Sequence, residues 1–250
     1  MTGAAAAAAP AALAGLLASR PAREPLLDGI DVVAPDWTRF QPLFEAWRAQ
    51  LFADTWTVNE PVVTDAGRER LPTLREQYPT YRLCQVALRG DALAGWSWGM
   101  QTRPGLFFMV NSAVVAAERR RGLYSALARR LMQQAAEAGF QQVQSVHNVA
   151  NNAIIIAKLK LGFMVTGLEQ SDTFGSLVQL SWYPHPQRRA LAETRAGQRR
   201  PAGDIRRLLG IDGSSQKRPA RSRSARGAEL ISRCPSGSWP ARRPRSARGC

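Results

Sequence analysis

The chain has 250 residues and a formal net charge of +15, with 34 basic and 19 acidic residues. This charge is uneven, because residues 1–185 carry a net charge of +2 and residues 186–250 carry +13. A nearly neutral body argues against a nucleic-acid-binding core and confines the basic character to the C-terminal part. No run of about 18 apolar residues occurs, so we expect no membrane-spanning helix.

The two ends of the chain have compositions that are unusual for a folded core. Residues 1–24 are alanine-rich without a wide apolar stripe, which predicts a flexible N-terminal segment. The segment also lacks the basic start of a secretory signal, which favours a cytoplasmic protein. Residues 186–250 are rich in Arg, Pro and Ser and predict a disordered basic tail. Residues 25–185 are therefore the predicted folded domain.

The first half of this domain alternates between strand and helix patterns. "GIDVVAP" predicts a strand, and a helix is expected from Asp36, its N-cap, through "TRFQPLFEAWRAQLF". A weaker helix is predicted at "DAGRERLPTLREQY". "YRLCQVALRGDALAGWSWGMQ" has the pattern of a hairpin around a Gly-Asp turn.

The second half continues with a long apolar strand, "GLFFMVNSAVVAA", and a helix from Gly122 to about Gly139. A strand at "FQQVQSVHNV", a short helix at "NNAIIIAKLKLG" and a final pair of strands follow. The strand–helix–strand unit of residues 106–148 predicts a parallel, right-handed crossover. The fold class is therefore α/β with a mixed sheet.

Three arginines directly precede Gly122 at the predicted start of a helix. A helix N-terminus offers unpaired N–H groups and a partial positive charge, and a glycine allows close approach of a ligand, so this turn predicts a phosphate site. An ordinary turn with solvated arginines is an equal alternative. The P-loop motif and the G-x-G-x-x-G motif are both absent. Three cysteines without C-x-x-C and two histidines without H-E-x-x-H predict a reducing compartment and no metal site.

Two motifs resemble those of a known family. "RRRGLYSAL", with Arg119 and Gly122, is similar to the [Q/R]-x-x-G-x-[G/A] signature of the GNAT superfamily of acyl-CoA-dependent N-acyltransferases. "NNAIIIAKLKLGF", from Asn151 to Phe163, resembles the second motif of that family. The resemblance implies a mostly antiparallel mixed sheet with a splayed parallel central pair and helices on both faces.

The resemblance also implies a donor, a reaction and a set of binding residues. Acetyl-CoA would lie between the splayed strands and pass its acetyl group directly to an amine of a small molecule or a peptide, with no metal involved. The implied acetyl-CoA-binding residues are Val114, Val115, Arg120, Arg121, Gly122, Leu123, Tyr124, Ser125 and Asn151.

The sequence departs from the family pattern at two places. Tyr124 stands where the family usually has glycine or alanine. Lys158 stands where many relatives have a tyrosine that protonates the leaving thiolate. Lys158 is a candidate proton donor, although a solvated lysine on a surface helix is the favoured alternative.

Three further residues are candidates for catalysis. His147, at the end of a central strand, suits removal of a proton from an ammonium group, with a packed histidine as the alternative. Ser112, on the opposite strand, is a candidate for holding a relay water. Glu60, in the loop "TWTVNEPVVT", could face an amine, and a solvated loop carboxylate is the alternative.

Two other functions remain open at the level of sequence. The missing tyrosine is compatible with a non-catalytic CoA-binding sensor, and the basic tail with a nucleic-acid-associated protein. Neither the acceptor amine nor the oligomeric state follows from the sequence.

Overall fold

The computed structural model describes residues 3–52, residue 69 and residues 80–211. The weaker helix expected at residues 65–78, apart from residue 69, and the candidate Glu60 lie outside this part. In chain order the elements are α1 (Gly3–Ala18), β1 (Glu24–Leu27), β2 (Ile30–Val33), α2 (Trp37–Leu51), β3 (Arg82–Arg89), β4 (Ala92–Arg103), β5 (Leu106–Val114), α3 (Leu123–Glu137), β6 (Gln142–Asn148), α4 (Asn152–Lys160), β7 (Met164–Ser171), β8 (Gly175–Trp182), α5 (Pro186–Arg195) and α6 (Gly203–Leu208).

The strands form one sheet in the order β1-β2-β3-β4-β5-β6-β8-β7. The central pair β5–β6 is parallel, and the other neighbours in this order are antiparallel. The expected mixed, mostly antiparallel sheet with a parallel central pair is confirmed. The pairing of β5 with β6 is short: it joins Leu106–Phe108 to Gln142–Gln144 and goes no further. Beyond that point the two strands separate.

Alternation along the strands distributes the core over both faces of the sheet. Val86 and Leu88 of β3 pack in a cluster with α1 and α2, while Ala87 between them packs in another cluster with α3. Because successive strand residues point to opposite faces, α1 and α2 cover one face and α3 covers the other. Asp36 caps α2 as predicted, since its carboxylate accepts the N–H of Arg39 at 3.0 Å.

Helix α1 replaces the flexible N-terminal segment expected for residues 1–24. Its Leu16 is only 3% exposed and packs, with Leu13, against Phe40 and Leu43 of α2. A narrow stripe of leucines and small alanines is enough here, because α2 and the sheet supply most of the apolar surface. None of the helices in residues 3–52 and 80–211 is long and apolar enough to cross a membrane.

Residues 186–211 also differ from the disordered tail expected at 186–250. The guanidinium of Arg189 donates to the carbonyl of Gly162 at the end of α4, and Gln198 donates to the Val165 carbonyl on β7 at 3.3 Å. Ala190 and Ile205 are buried. These contacts join side chains to backbone carbonyls far away in the sequence, so composition does not reveal them. The rest of the tail, residues 212–250, lies outside the described part.

Truncation should therefore distinguish two boundaries. We expect a fragment ending at residue 211 to keep the Tm of the full chain. A fragment ending at residue 185 should melt about 5–10 °C lower, because it loses the Arg189 hydrogen bond and the burial of Ile205. Thermal unfolding of both fragments beside the full chain checks this. Equal Tm values for all three chains would show that α5 and α6 contribute nothing to stability.

Candidate functional site

A cavity of about 1200 Å³ opens where β5 and β6 separate. Met109–Val114 and Ser145–Asn148 form its opposing walls, and the start of α3, the inner side of α4 and the β7–β8 hairpin complete it. Most of the residues selected from the sequence line this one cavity: Ser112, Val114, Arg120, Gly122, Leu123, Tyr124, Ser125, His147, Asn151 and Lys158.

One end of the cavity is the N-terminus of α3. Gly122 caps this helix in the left-handed conformation, with φ of 86°. A Cβ added to Gly122 would meet nothing within 4 Å, so the backbone conformation and not crowding favours glycine. The bond from the Ala126 N–H to the Gly122 carbonyl closes the first turn, which leaves the N–H groups of Leu123, Tyr124 and Ser125 ahead of it. This helix end can therefore hold an anion.

The three consecutive arginines have three different environments. Arg119 Nε donates to the Val114 carbonyl at 3.1 Å and ties the turn to the end of β5. Arg121 Nη1 lies 3.7 Å from a carboxylate oxygen of Glu118 and is not part of the cavity lining. Arg120 does line the cavity, with φ of 62°. Of the two arginines expected to bind acetyl-CoA, Arg120 lines the cavity and Arg121 does not.

Glu118 is a residue that the sequence reasoning missed. Its carboxylate is buried and accepts two hydrogen bonds from Arg89 at the end of β3, at 2.6 and 2.9 Å. The hydrogen bond from Arg89 lowers the pKa of Glu118 below its ordinary value, so the carboxylate stays ionised. The pair anchors the turn before α3 to the sheet. The sequence signal that could have identified Glu118 is its position as a single acidic residue directly before "RRRG".

Val115 does not have the role that the sequence suggested. Its N–H donates to the Ala94 carbonyl at 3.0 Å and its carbonyl accepts the Glu118 N–H at 3.0 Å, so both backbone groups are occupied. Backbone groups alternate in direction along a strand, so those of Val114 point to the gap side instead. The Val114 carbonyl already accepts the hydrogen bond from Arg119 Nε, so the N–H is the Val114 group that can meet a ligand. Val114 is the residue of this pair that lines the cavity.

Lys158 is buried, and the favoured expectation of a solvated lysine is wrong. The side chain is 1% exposed and its Nζ lies 2.8 Å from Met109 Sδ and 4.3 Å from the centre of the Phe163 ring. Burial lowers the pKa of Lys158 from 10.5 to about 7. Met109 immediately follows the last paired residue of β5, so this amine lies at the fork of the two strands.

His147 lies on the wall formed by β6. Its Nε2 is 3.2 Å from Ser145 Oγ, and burial, followed by the positive charge of Lys158, lowers the pKa of His147 from 6.5 to about 4. The imidazole is therefore neutral at neutral pH. On the opposite wall, Ser112 Oγ is hydrogen-bonded to Ser97 Oγ at 2.8 Å.

Asn151 and Tyr124 contribute to the cavity in different ways. The Asn151 side chain caps α4 by accepting the Ile154 N–H at 3.4 Å, so its orientation is set by the helix. Burial raises the pKa of Tyr124 above its ordinary value, so the phenol remains protonated at neutral pH. Within the described ranges, no group of three His, Cys, Asp or Glu residues is arranged to hold a metal ion.

Comparison with known proteins gives one family match. Residues 44–163 match the sequence model of the acetyltransferase (GNAT) family. No curated protein matches the sequence.

Solved structures that match this chain include three bacterial proteins. One is yncA from Salmonella typhimurium, solved with acetyl-CoA. Its sequence is 17% identical to this chain, and the match covers 62% of this chain and 94% of yncA with a TM-score of 0.46. A Bacillus subtilis acetyltransferase in complex with CoA has 17% identity, coverage of 62% and 98%, and a TM-score of 0.42. The ribosomal-protein-S18-alanine N-acetyltransferase of Escherichia coli has 18% identity, coverage of 45% and 75%, and a TM-score of 0.39. Similarity at this level does not specify a substrate.

Proposed function

Because the chain contains an acetyltransferase domain of the GNAT family, matched over residues 44–163, we propose that it transfers an acetyl group from acetyl-CoA to the amine of a small molecule or a peptide. The main support for this proposal is the cavity that extends from the N-terminus of α3 to the buried amine of Lys158. Met109 and Val114, near its two ends, are separated by about 17 Å of extended strand. An elongated donor with an anionic end suits this shape.

The N-terminus of α3 would bind the pyrophosphate of the donor. The N–H groups of Leu123, Tyr124 and Ser125 supply hydrogen bonds, and Arg120 adds positive charge. Gly122 leaves the approach to these amides open. The N–H of Val114, whose carbonyl is bonded to Arg119, would donate to an amide carbonyl of the pantetheine arm, and Asn151 would border the arm.

The acid–base chemistry would fall to side chains deeper in the cavity. Attack on a thioester requires an amine that has lost its proton, and the departing thiolate must gain one. With a pKa of about 7, Lys158 carries a proton in much of the population at neutral pH and can give it to the sulfur. His147 is neutral but, with a pKa of about 4, it is a weak base, so it would accept a proton from the amine nitrogen only as the C–N bond forms and that nitrogen becomes acidic, with Ser112 holding a bridging water.

The role of His147 can be tested by removal. We expect His147→Ala to lower kcat/KM by about 10²-fold and to leave the affinity for acetyl-CoA nearly unchanged, because a base acts on the acceptor amine and not on donor binding. Steady-state kinetics from pH 4 to 8, with calorimetry of acetyl-CoA binding, checks this. A variant with the parent's rate and pH profile would remove His147 from the mechanism.

The different environments of two arginines allow a matched test of donor binding. Arg120→Ala should weaken acetyl-CoA binding by about 1–2 kcal/mol at low salt, as for a lost charge-assisted hydrogen bond. Arg121→Ala should weaken it less, because Arg121 is exposed and is not among the residues that line the cavity. Calorimetry of both variants at two salt concentrations separates them, since salt screens exposed charges. An equal loss in both variants would contradict this assignment.

The acceptor is to be found by release of CoA from acetyl-CoA over a library of amines. Turnover with any amine supports the proposal, and tight acetyl-CoA binding without turnover on the whole library would favour the sensor. Contact of the basic tail with nucleic acid remains a prediction from sequence, because most of the tail lies outside the described residues.

A further inference from the structure

Lys158 has surroundings that differ sharply from those of an ordinary surface lysine. It is 1% exposed, lines the cavity, and has its Nζ at the fork between β5 and β6. The contacts of this Nζ are a thioether sulfur, Met109 Sδ, and the face of the Phe163 ring. Neither contact is an anion, so the amine has no carboxylate partner here that would fix it as a cation.

The other lysine in the described ranges offers a natural comparison. Lys160 lies on the same helix, two residues further on, and is exposed to solvent. A spacing of two residues places the two side chains on different faces of α4. Only Lys158 therefore points into the cavity in which the proposed function places the thioester.

We propose that Lys158 is itself an acetylation site, modified by the acetyl-CoA bound in its own cavity when no acceptor amine is present. This inference rests on the proposed function, since it requires acetyl-CoA to lie between the splayed strands. It adds a covalent modification of one named side chain and a limit on the activity of the enzyme.

The reaction is balanced without any further reagent. The neutral amine of Lys158 attacks the acetyl carbonyl carbon and forms a C–N bond. The C–S bond of the thioester breaks and CoA leaves as a thiolate, which takes the proton released by the nitrogen. The products are Nε-acetyl-lysine at position 158 and free CoA.

Two features favour attack by this amine in particular. A lysine is nucleophilic only when it is neutral, and desolvation brings the pKa of Lys158 down to about 7. An amine held beside the thioester also reacts as an intramolecular partner, which raises its effective concentration. The titratable group that faces Lys158 is His147 on β6, while the contacts from β5 and from beyond α4, Met109 and Phe163, are uncharged.

Acetylation would also change what the cavity can do. Acetyl-lysine is neutral and cannot donate an ammonium proton to a departing thiolate, so the modified protein should bind acetyl-CoA but turn over poorly. Acceptor amines would protect the enzyme by consuming the donor first.

The test incubates the full chain with acetyl-CoA and no acceptor. We expect intact-mass spectrometry to show one acetyl group, and peptide mapping to place it on Lys158, with trypsin no longer cleaving after that residue. The rate should rise about tenfold between pH 6 and pH 8 and then level off, whereas an ordinary lysine would rise about 100-fold over the same interval. This measurement needs no variant, so it does not depend on a substitution that folds poorly.

Two variants serve as a matched pair. Lys158→Arg should lose the modification, and Lys160→Arg should keep it at the parental rate. Binding of acetyl-CoA, measured by calorimetry, separates the two ways of failing. Binding without acetylation of Lys158, or equal acetylation of Lys158 and Lys160, overturns this inference and leaves the proposed function standing. Absence of binding overturns both.

Discussion

Gly122→Glu should abolish detectable binding of acetyl-CoA while the protein remains folded, a loss of at least about 100-fold in affinity. The left-handed backbone at this position, φ of 86°, costs a side-chain-bearing residue about 1–2 kcal/mol, which the fold can tolerate. An added Cβ meets no neighbour within 4 Å. The new carboxylate, in contrast, would compete for the free N–H groups of α3 and repel the phosphates. Calorimetry with acetyl-CoA measures the loss.

The chain supplies a close control at the other end of the same helix. Gly139 also has a positive φ, 94°, and its added Cβ also meets nothing within 4 Å. Gly139→Glu therefore introduces the same backbone strain and the same negative charge at a position that does not line the cavity. This variant should bind acetyl-CoA like the parent. If Gly122→Glu binds as well as Gly139→Glu does, α3 is not the anion site and the proposed donor site fails.

Lys158→Met should lower kcat by about 10²- to 10³-fold and raise the Tm at the same time. The catalytic loss follows from removing the proposed proton donor. The gain in stability follows because methionine fills a similar volume beside Met109 and Phe163 without placing an amine in an apolar site. Steady-state kinetics and thermal unfolding of the same preparation measure both effects.

The pH dependence of stability gives this prediction a definite sign. The folded pKa of Lys158 is about 7, below the ordinary value of 10.5, so between these values the unfolded chain binds more protons. The stability of the parent should therefore rise from pH 7 to about pH 10, and Lys158→Met should lose this rise. Lys160→Met, an exposed position on the same helix, should change neither Tm nor kcat. A Lys158→Met variant with the parent's kcat would exclude this side chain from catalysis.

Local patterns were sufficient for much of the fold. Asp36 as an N-cap, the glycine before α3 and the asparagine before α4 are signals contained within a few residues, and the structure confirms each of them. The same kind of local signal predicts the order of the elements from β2 to β8, leaving aside residues 53–79. Hydrophobic periodicity locates such elements because it depends only on neighbours along the chain.

The sequence did not correctly predict the features that depend on residues far away along the chain. Helix α1 was unexpected because α2 and the sheet provide the apolar surface that its own sequence lacks. Glu118 is paired with Arg89, which lies 29 residues earlier in the chain. Val115 was excluded from the site by Ala94 on a neighbouring strand. None of these partners is visible within a short window of sequence.

The sequence by itself determined the mixed α/β architecture, the glycine turn at the start of α3 and most of its candidate residues that line the cavity, but not Val115 or Arg121. Only the tertiary structure decided which of those side chains are buried, which are paired and which are protonated. Lys158 reads as a charged residue on a helix, yet α4 lies against Met109 and Phe163 and removes its amine from water. The three consecutive arginines look equivalent, but only Arg120 faces the cavity unpaired with Glu118 or Val114. The burial and pairing of a side chain depend on residues far apart in the chain. Burial and pairing in turn determine the protonation of the side chain and where it points, and the chemistry of the site depends on both.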